Sequence, residues 1–500
     1  MSKPSSKQLS TTENVLAQQY QQKTDKQHIL DNPDTYIGSV ENVDSSMWVY
    51  NDESNRIEWR DIEYIPGLYK LFDEGIVNCR DHVIRMDQKV TNEPAEKHHQ
   101  VMNIDIDIRE DGTISMYNDG NGIDVAKHPE YDLWIPEMIF GHLRTSTNYN
   151  KSEKKIVGGK NGFGFKLVLI WSSSGSIETI DHVRKLKYTQ SFEDNLNIIH
   201  PPVITKSSAK PYTRITFKPD YKRFEIDGLS TNMRSLLAKR IYDISAVTRR
   251  TLKVKLNGEL LSVKSFPQYV DLYLGSSAAK VHDDTSQRWE YIVGLSPSDE
   301  FNHVSFVNGI YTSKGGKHVD YIIQQITRKM IAYIEKKKKV VVNASNIKEQ
   351  LFLFLRCDIE NPAFDSQTKD YMNTPISKFG SSCVVSDKLI DKLAKMGVME
   401  AACAIHEVKE NKAAKKNDGN KTKSIRGIPK LIDANWAGTI KSPECTIIFC
   451  EGDSAKAGIV SGLSSEDRNI IGVYPMKGKL FNVRGEPIKK IVENKEIAEI

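Results

Sequence analysis

The stretch "GGKNGFGFKLVLI", Gly158 to Ile170, sets four glycines and two lysines within nine residues and then turns apolar. Whether such a run holds an anion decides how the rest of the chain is read. A dinucleotide fingerprint requires G-x-G-x-x-G, but from Gly162 and Gly164 the next glycine would fall on Leu167. A P-loop requires G-x-x-x-x-G-K-[ST], and after Gly159 and Gly164 stands Phe165 where the lysine belongs. What remains is a run of unhindered backbone N–H groups that can close around an anion at the start of an apolar helix. An ordinary loop before an apolar segment has the same appearance.

The remainder of the chain supplies context. Its 500 residues, 39% hydrophobic and 27% charged, read as globular, with a length suited to roughly three domains. No apolar run approaches the roughly 20 residues needed to span a bilayer. The N-terminal "MSKPSSKQLSTTENVLAQQYQQKTDK" has no apolar core of the signal-peptide kind and reads as a polar arm. The six cysteines, Cys79, Cys357, Cys383, Cys403, Cys445 and Cys450, show no C-x-x-C pairing, which points away from a zinc cluster or disulfide framework and towards a reducing, intracellular setting. The net charge is +5, with basic concentrations in "EKKKK" (Glu335–Lys339) and "KENKAAKKNDGNKTK" (Lys409–Lys423). Each is a solvated helix end or linker, or else a contact for nucleic acid.

Two further segments carry polar groups at telling positions. In "GLYKLFDEGIVNCRDHV", Gly67 to Val83, Leu68, Phe72, Ile76 and Cys79 form one helical stripe. Glu74, Asn78 and Asp81 form a second, which is either a solvent face or one turned to a ligand. Gly75 inside this helix costs about 1 kcal/mol relative to alanine, so a close neighbour is expected there. Downstream, "NIDIDI", the turn "REDG" (Arg109–Gly112) and "TISMY" predict a β-hairpin. It runs into "NDGNGI" (Asn118–Ile123), where Gly120 and Gly122 allow a sharp bend beside a ligand. "RITFKP" and "VSFVNGIY" read as strands and "YIIQQITRKMIAYIEKKKK" as a long amphipathic helix ending in lysines. The class is α+β with mixed sheets.

E-x-x-x-N on a helix, N-D-G-x-G after a strand and a glycine-rich run before a helix, in that order, resemble the three nucleotide-binding motifs of the GHKL ATPases. Within that superfamily the chain resembles the N-terminal part of the eukaryotic-type DNA topoisomerase II family from about Gln27 onward. The stretches carrying the likeness are "HILDNPDTYIGSV" (His28–Val40), "IPEMIFGHLRTSTNYN" (Ile135–Asn150), "GGKNGFGFKL", "YTRITFKPD" (Tyr212–Asp220), "ENPAFDSQTK" (Glu360–Lys369) and "EGDSAKAG" (Glu451–Gly458). The resemblance implies an α+β chain made of a GHKL (Bergerat) ATPase sandwich over 27–262, a transducer domain with a mixed sheet over 263–405, a basic linker over 406–428 and an incomplete TOPRIM α/β domain over 429–500, all after a polar arm at 1–26.

The same resemblance implies roles. Glu74 matches the general base that activates water against the γ-phosphate of ATP, and Asn78 the amide that offers oxygen to Mg²⁺. Asn118 matches the position addressing the adenine end, where many relatives carry aspartate. Ser146, Thr147 and Asn148 match a polar triplet at the ribose and phosphates, with Thr147 replacing a commoner serine. Gly159, Lys160, Asn161, Gly162, Phe163, Gly164, Phe165 and Lys166 match the lid that would wrap the β- and γ-phosphates. Phe165 stands where alanine is usual and Gly75 where a bulky aliphatic residue is usual, departures that could reshape the pocket. Gln367 and Lys369 match the transducer loop that reaches the γ-phosphate.

In the last segment, "CTIIFCEGDSAKAG" reads as a strand entering an acidic turn, and Glu451 matches the metal-binding glutamate of TOPRIM, with "PMKGKLFNVR" (Pro475–Arg484) continuing the likeness. The D-x-D carboxylates that complete that Mg²⁺ site and the DNA-cleaving tyrosine are expected after Ile500, which makes the chain a fragment of a longer protein or one subunit of a split enzyme. Implied partners are double-stranded DNA and a second copy joined through the ATPase domains, with no membrane. Lys336, Lys337, Lys338 and Lys339 are candidate DNA contacts. The implied setting is the nucleus for a cellular eukaryotic protein, or host cytoplasm or virion for a viral one. Two other function classes stand beside an ATP-operated gate: a histidine kinase, against which the SQTK and EGDSAKAG blocks argue, and a noncatalytic GHKL clamp that binds ATP and dimerises without turnover.

Overall fold

The computed structural model describes residues 23–94, 97–143, 156–158, 164–298, 300–406, 428, 430–476 and 484. Two compact units divide the chain, residues 1–402 and 403–500. Ser146, Thr147, Asn148 and Gly159 through Phe163 lie outside the described residues, as do most of the N-terminal arm, the basic linker and the "KGKLFNV" stretch.

The first unit is built around two sheets. In the larger, Asn103–Ile108 buries Ile104, Ile106 and Ile108 on one face and pairs antiparallel with Ile114–Asp119, as the alternation predicts. Asp111 closes the turn by accepting the Thr113 N–H at 3.0 Å. Tyr212–Pro219, Ser172–Asp181 and Leu186–Glu193 extend that sheet on one side, and on the other Lys253–Leu256 joins Asn103–Ile108 in parallel.

The long helix Pro66–Asn92 begins with proline at a position where a missing N–H is harmless. Its apolar stripe, Leu68, Phe72, Ile76 and Cys79, is buried in the core. The helix Thr231–Val247, capped by Ser230 on the Met233 N–H, packs against it.

The second sheet is mixed. Leu351–Cys357 pairs antiparallel with Trp289–Leu295 and parallel with Asn302–Val307, whose short partner is Ile310–Tyr311. The amphipathic helix Lys317–Lys338 buries Ile322, Ile326, Met330 and Ile334, and leaves Lys336, Lys337, Lys338 and Lys339 exposed at its C-terminal end. This mixed-sheet α+β build is the class read from the sequence.

In the second unit the strand Thr446–Glu451 runs parallel to Ile471–Met476, with the helix Gly452–Gly462 between them in the chain. That is a β-α-β crossover, the start of an α/β layer.

Candidate functional site

A cavity of about 490 Å³ lies in the first unit between the long helix and the larger sheet. Its polar lining includes Glu74, Asn78, Asn118, Lys166, Gln367 and Lys369; its apolar lining includes Met116, Ile139, Phe140, Phe165 and Ile215. Residues from six separate parts of the chain are thereby gathered into one pocket.

Glu74 is 5% exposed and sits between two ammonium groups, 2.8 Å from Lys70 Nζ and 3.4 Å from Lys369 Nζ. Burial alone would raise its carboxyl pKa, but the charges of Lys369 and Lys70 outweigh burial and hold it below the ordinary glutamate value. The carboxylate is therefore ionised at neutral pH. Asn78, one turn on along the helix, faces the same cavity.

Asp81, the third polar residue of that stripe, does a different job. Its carboxylate accepts the Gly158 N–H at 2.9 and 3.0 Å, tying the root of the glycine-rich run to the long helix. Gly164 opens the helix Gly164–Ile170, and a Cβ there would lie 2.7 Å from Glu74 Oε2, so no side chain fits between this backbone and the carboxylate. Lys166, 4% exposed, also lines the cavity, and burial lowers its pKa to about 8.

Asn118 is the last residue but one of the hairpin strand Ile114–Asp119, 8% exposed, on the same face as Met116. Its neighbour Asp119 is structural: its carboxylate accepts the Met102 and Asn103 N–H groups at 2.6 and 2.8 Å. The bend that follows needs both glycines, Gly120 at φ +97° and Gly122, where a Cβ would lie 1.9 Å from the Ile180 carbonyl oxygen.

Lys369 reaches the cavity from a turn in which its own backbone is left-handed, φ 62°, a conformation rare for a residue with a side chain. It is 7% exposed, and Thr368 and Asp370 beside it are joined by a hydrogen bond of 2.9 Å.

Sequence reasoning missed a buried ionic network behind Glu74. Lys70 bridges Glu74 and Asp73; Arg240 Nε lies 2.6 Å from Asp73 Oδ1 and 0% of its side chain is exposed; its Nη2 donates to the Gly309 carbonyl at 2.9 Å. Lys239 pairs with Asp243 at 3.0 Å, and Tyr269 donates to Asp243 at 2.6 Å. The reading also passed over His82, Arg85 and Lys89, which continue the lining along the helix. Burial, helped by Arg85 and Lys89, lowers the His82 pKa to about 3, leaving it neutral. The i, i+3, i+7 spacing of these three was the available signal.

Glu451 lies exposed at the end of Thr446–Glu451, just before the helix Gly452–Gly462. Among the described residues no group of three His, Cys, Asp or Glu is gathered to hold a metal. All six cysteines are free thiols.

The chain is 41% identical to DNA topoisomerase 2 of Drosophila melanogaster over 492 residues and 40% identical to that of Saccharomyces cerevisiae over 512, matches that cover 96% and 98% of this chain. The ATPase region of the Saccharomyces cerevisiae topoisomerase II superposes with a TM-score of 0.72 at 39% identity, covering 78% of this chain and all of that one. The chain belongs to the DNA topoisomerase II family.

The ATPase and transducer domains of DNA topoisomerase II from Balamuthia mandrillaris give a TM-score of 0.73 at 38% identity over 79% of this topoisomerase II family chain and 99% of theirs. The DNA gyrase B family model matches residues 265–424. The chain spans about a third of the curated relatives, 33% of the fly and 35% of the yeast sequence. Among its described residues no helix is long and apolar enough to cross a membrane.

Proposed function

We propose that this chain is the ATP-binding and ATP-hydrolysing gate of a type II DNA topoisomerase, an enzyme that passes one duplex through a transient double-strand break in another. The observation that carries the reading is the meeting of Glu74 with Lys369, 295 residues apart in the chain, inside one cavity that also holds Asn78, Asn118 and Lys166. A carboxylate flanked by cations and an amide is the chemistry a triphosphate and its attacking water require.

In this reading Glu74 orients and deprotonates the water, while Lys369, Gln367 and Lys166 hold the terminal phosphates. Asn118 addresses the base. Asn78 supplies the hard oxygen that suits Mg²⁺, which when bound offsets phosphate charge. Lys369 exchanges its contact with Glu74 for the γ-phosphate when nucleotide enters, and its loop thereby carries nucleotide state into the second sheet.

The segments read as 27–262, 263–405 and 429–500 serve as ATPase, transducer and start of TOPRIM, with Glu451 as one ligand of the TOPRIM Mg²⁺. Ser146, Thr147 and Asn148 meet the ribose and phosphates, and the run Gly159–Phe163 completes the grip on the β- and γ-phosphates. The partners are duplex DNA, met by Lys336–Lys339 through its phosphates, and a second copy joined through the ATPase domains. The eukaryotic relatives favour a nuclear setting.

The test is phosphate release by the purified chain with ATP and Mg²⁺, alongside sedimentation with a nonhydrolysable ATP analogue. Turnover and analogue-driven dimerisation are expected. Binding without turnover would make the chain a clamp, and a monomer at saturating analogue would remove the gate.

A further inference from the structure

Gly75 is an unfavourable residue for the middle of a helix, and its surroundings account for it. A Cβ built there would lie 2.3 Å from Met116 Sδ and 2.8 Å from its Cε, with Phe165 Cε2 at 3.4 Å. The first two distances leave no room for a carbon. Met116 is 2% exposed and Phe165 8%. Phe165 in turn meets Phe140 and Phe217 edge-on, with centroids 5.7 and 5.8 Å away. The ring is thus braced by two aromatic neighbours.

All three residues line the cavity together with Asn118, which follows Met116 by two on the same strand face. The volume that a side chain at position 75 would occupy is taken by the thioether and the aromatic ring. Packed interiors respond to changes of a single methylene, so these residues are not free to vary independently. Volume conserved across the set would preserve the cavity; volume changed at one member would deform it.

We propose that Gly75, Met116 and Phe165 are a size-matched set that fixes the width of the apolar part of the pocket and so selects the nucleotide base that enters. The selection claim rests on the nucleotide-binding reading above. Phe165 is the rigid member, held by two neighbouring rings; Met116 is the adaptable one, with an unbranched chain able to yield. An added Cβ at Gly75 drives Met116 towards the cavity, and the longer side chain of Gly75→Ile presses on Phe165, already at contact distance, as well. Removal of the Phe165 ring widens the cavity.

The experiment is a double-substitution cycle on the 500-residue chain: unsubstituted, Gly75→Ile, Phe165→Ala and the pair, each measured for ATP and GTP dissociation constants and for Tm. Gly75→Ile should weaken ATP at least about tenfold, and Phe165→Ala should reduce the preference for ATP over GTP at least about fivefold. The pair should recover both to within about threefold of the unsubstituted chain. A ratio of ATP to GTP affinity that stays constant, or single effects that simply add, would overturn the set while leaving nucleotide binding intact. Failure of the unsubstituted chain to bind either nucleotide would overturn the reading beneath it. If Gly75→Ile does not fold, Gly75→Ala replaces it and Met116→Ala replaces Phe165→Ala as its partner, since the one methyl already meets the Met116 thioether, and coupling between those two is required.

Discussion

Lys369 Nζ lies 3.4 Å from Glu74 Oε1, a contact between two residues that the chain separates by 295 positions. It joins the turn after the second sheet to the helix that carries the carboxylate. Lys369→Met should lower the rate of ATP hydrolysis by about a hundredfold, the scale for losing one charge-stabilising group at a transition state. It should also move the acid limb of the rate profile to higher pH. Without Lys369, burial acts on Glu74 with only Lys70 opposing it, so the carboxyl pKa rises and the base is lost to protonation earlier as pH falls. The kcat value checks the rate and a kcat/KM profile against pH, which reports the nucleotide-free enzyme, checks the limb; an unchanged limb would separate Lys369 from Glu74.

Lys166 gives a second pH dependence, of opposite sense. Burial lowers its pKa to about 8, so in the empty pocket it is charged below that value and neutral above it. Bound phosphate favours the charged form. ATP affinity should therefore fall by about tenfold between roughly pH 7 and pH 9, and Lys166→Met should bind more weakly with that dependence removed. Calorimetric titration across this range is the measurement, and a flat affinity in the unsubstituted chain would refute the assignment.

Arg240 makes the largest prediction for stability. It lies between Asp73 and Asp243, at 2.6 and 3.5 Å, with 0% of its side chain exposed. Arg240→Ala leaves both carboxylates short of a partner that Lys70 and Lys239 do not replace. A loss of about 3–5 kcal/mol is expected, the range for breaking a buried ion pair from one side. Urea denaturation measures it, and a loss below about 1 kcal/mol would place the network among contacts of little net worth.

The contrast between these residues shows what the sequence could reveal. Leu68, Phe72, Ile76 and Cys79 announce their helix because burial of one face imposes a local period, and the alternation of Ile104, Ile106 and Ile108 does the same for a strand. Glu74 and Asp81 were visible as a polar stripe, but such a stripe looks the same whether it meets solvent or buried partners. Here both are buried, and their partners outside the helix, Lys369 and the Gly158 N–H, lie far off in sequence. The Asp73–Arg240 pair spans 167 positions and leaves no periodic trace. Gly75 was the exception: a residue unfavourable in its own helix pointed to the close neighbour that Met116 provides.

The account turns on Glu74 as the group that acts on water rather than on nucleotide. Phosphate release and equilibrium ATP binding measured together on Glu74→Ala test this most directly. The expected result is hydrolysis slowed by roughly a hundredfold or more with ATP still bound. Phosphate release near the unsubstituted rate would contradict it.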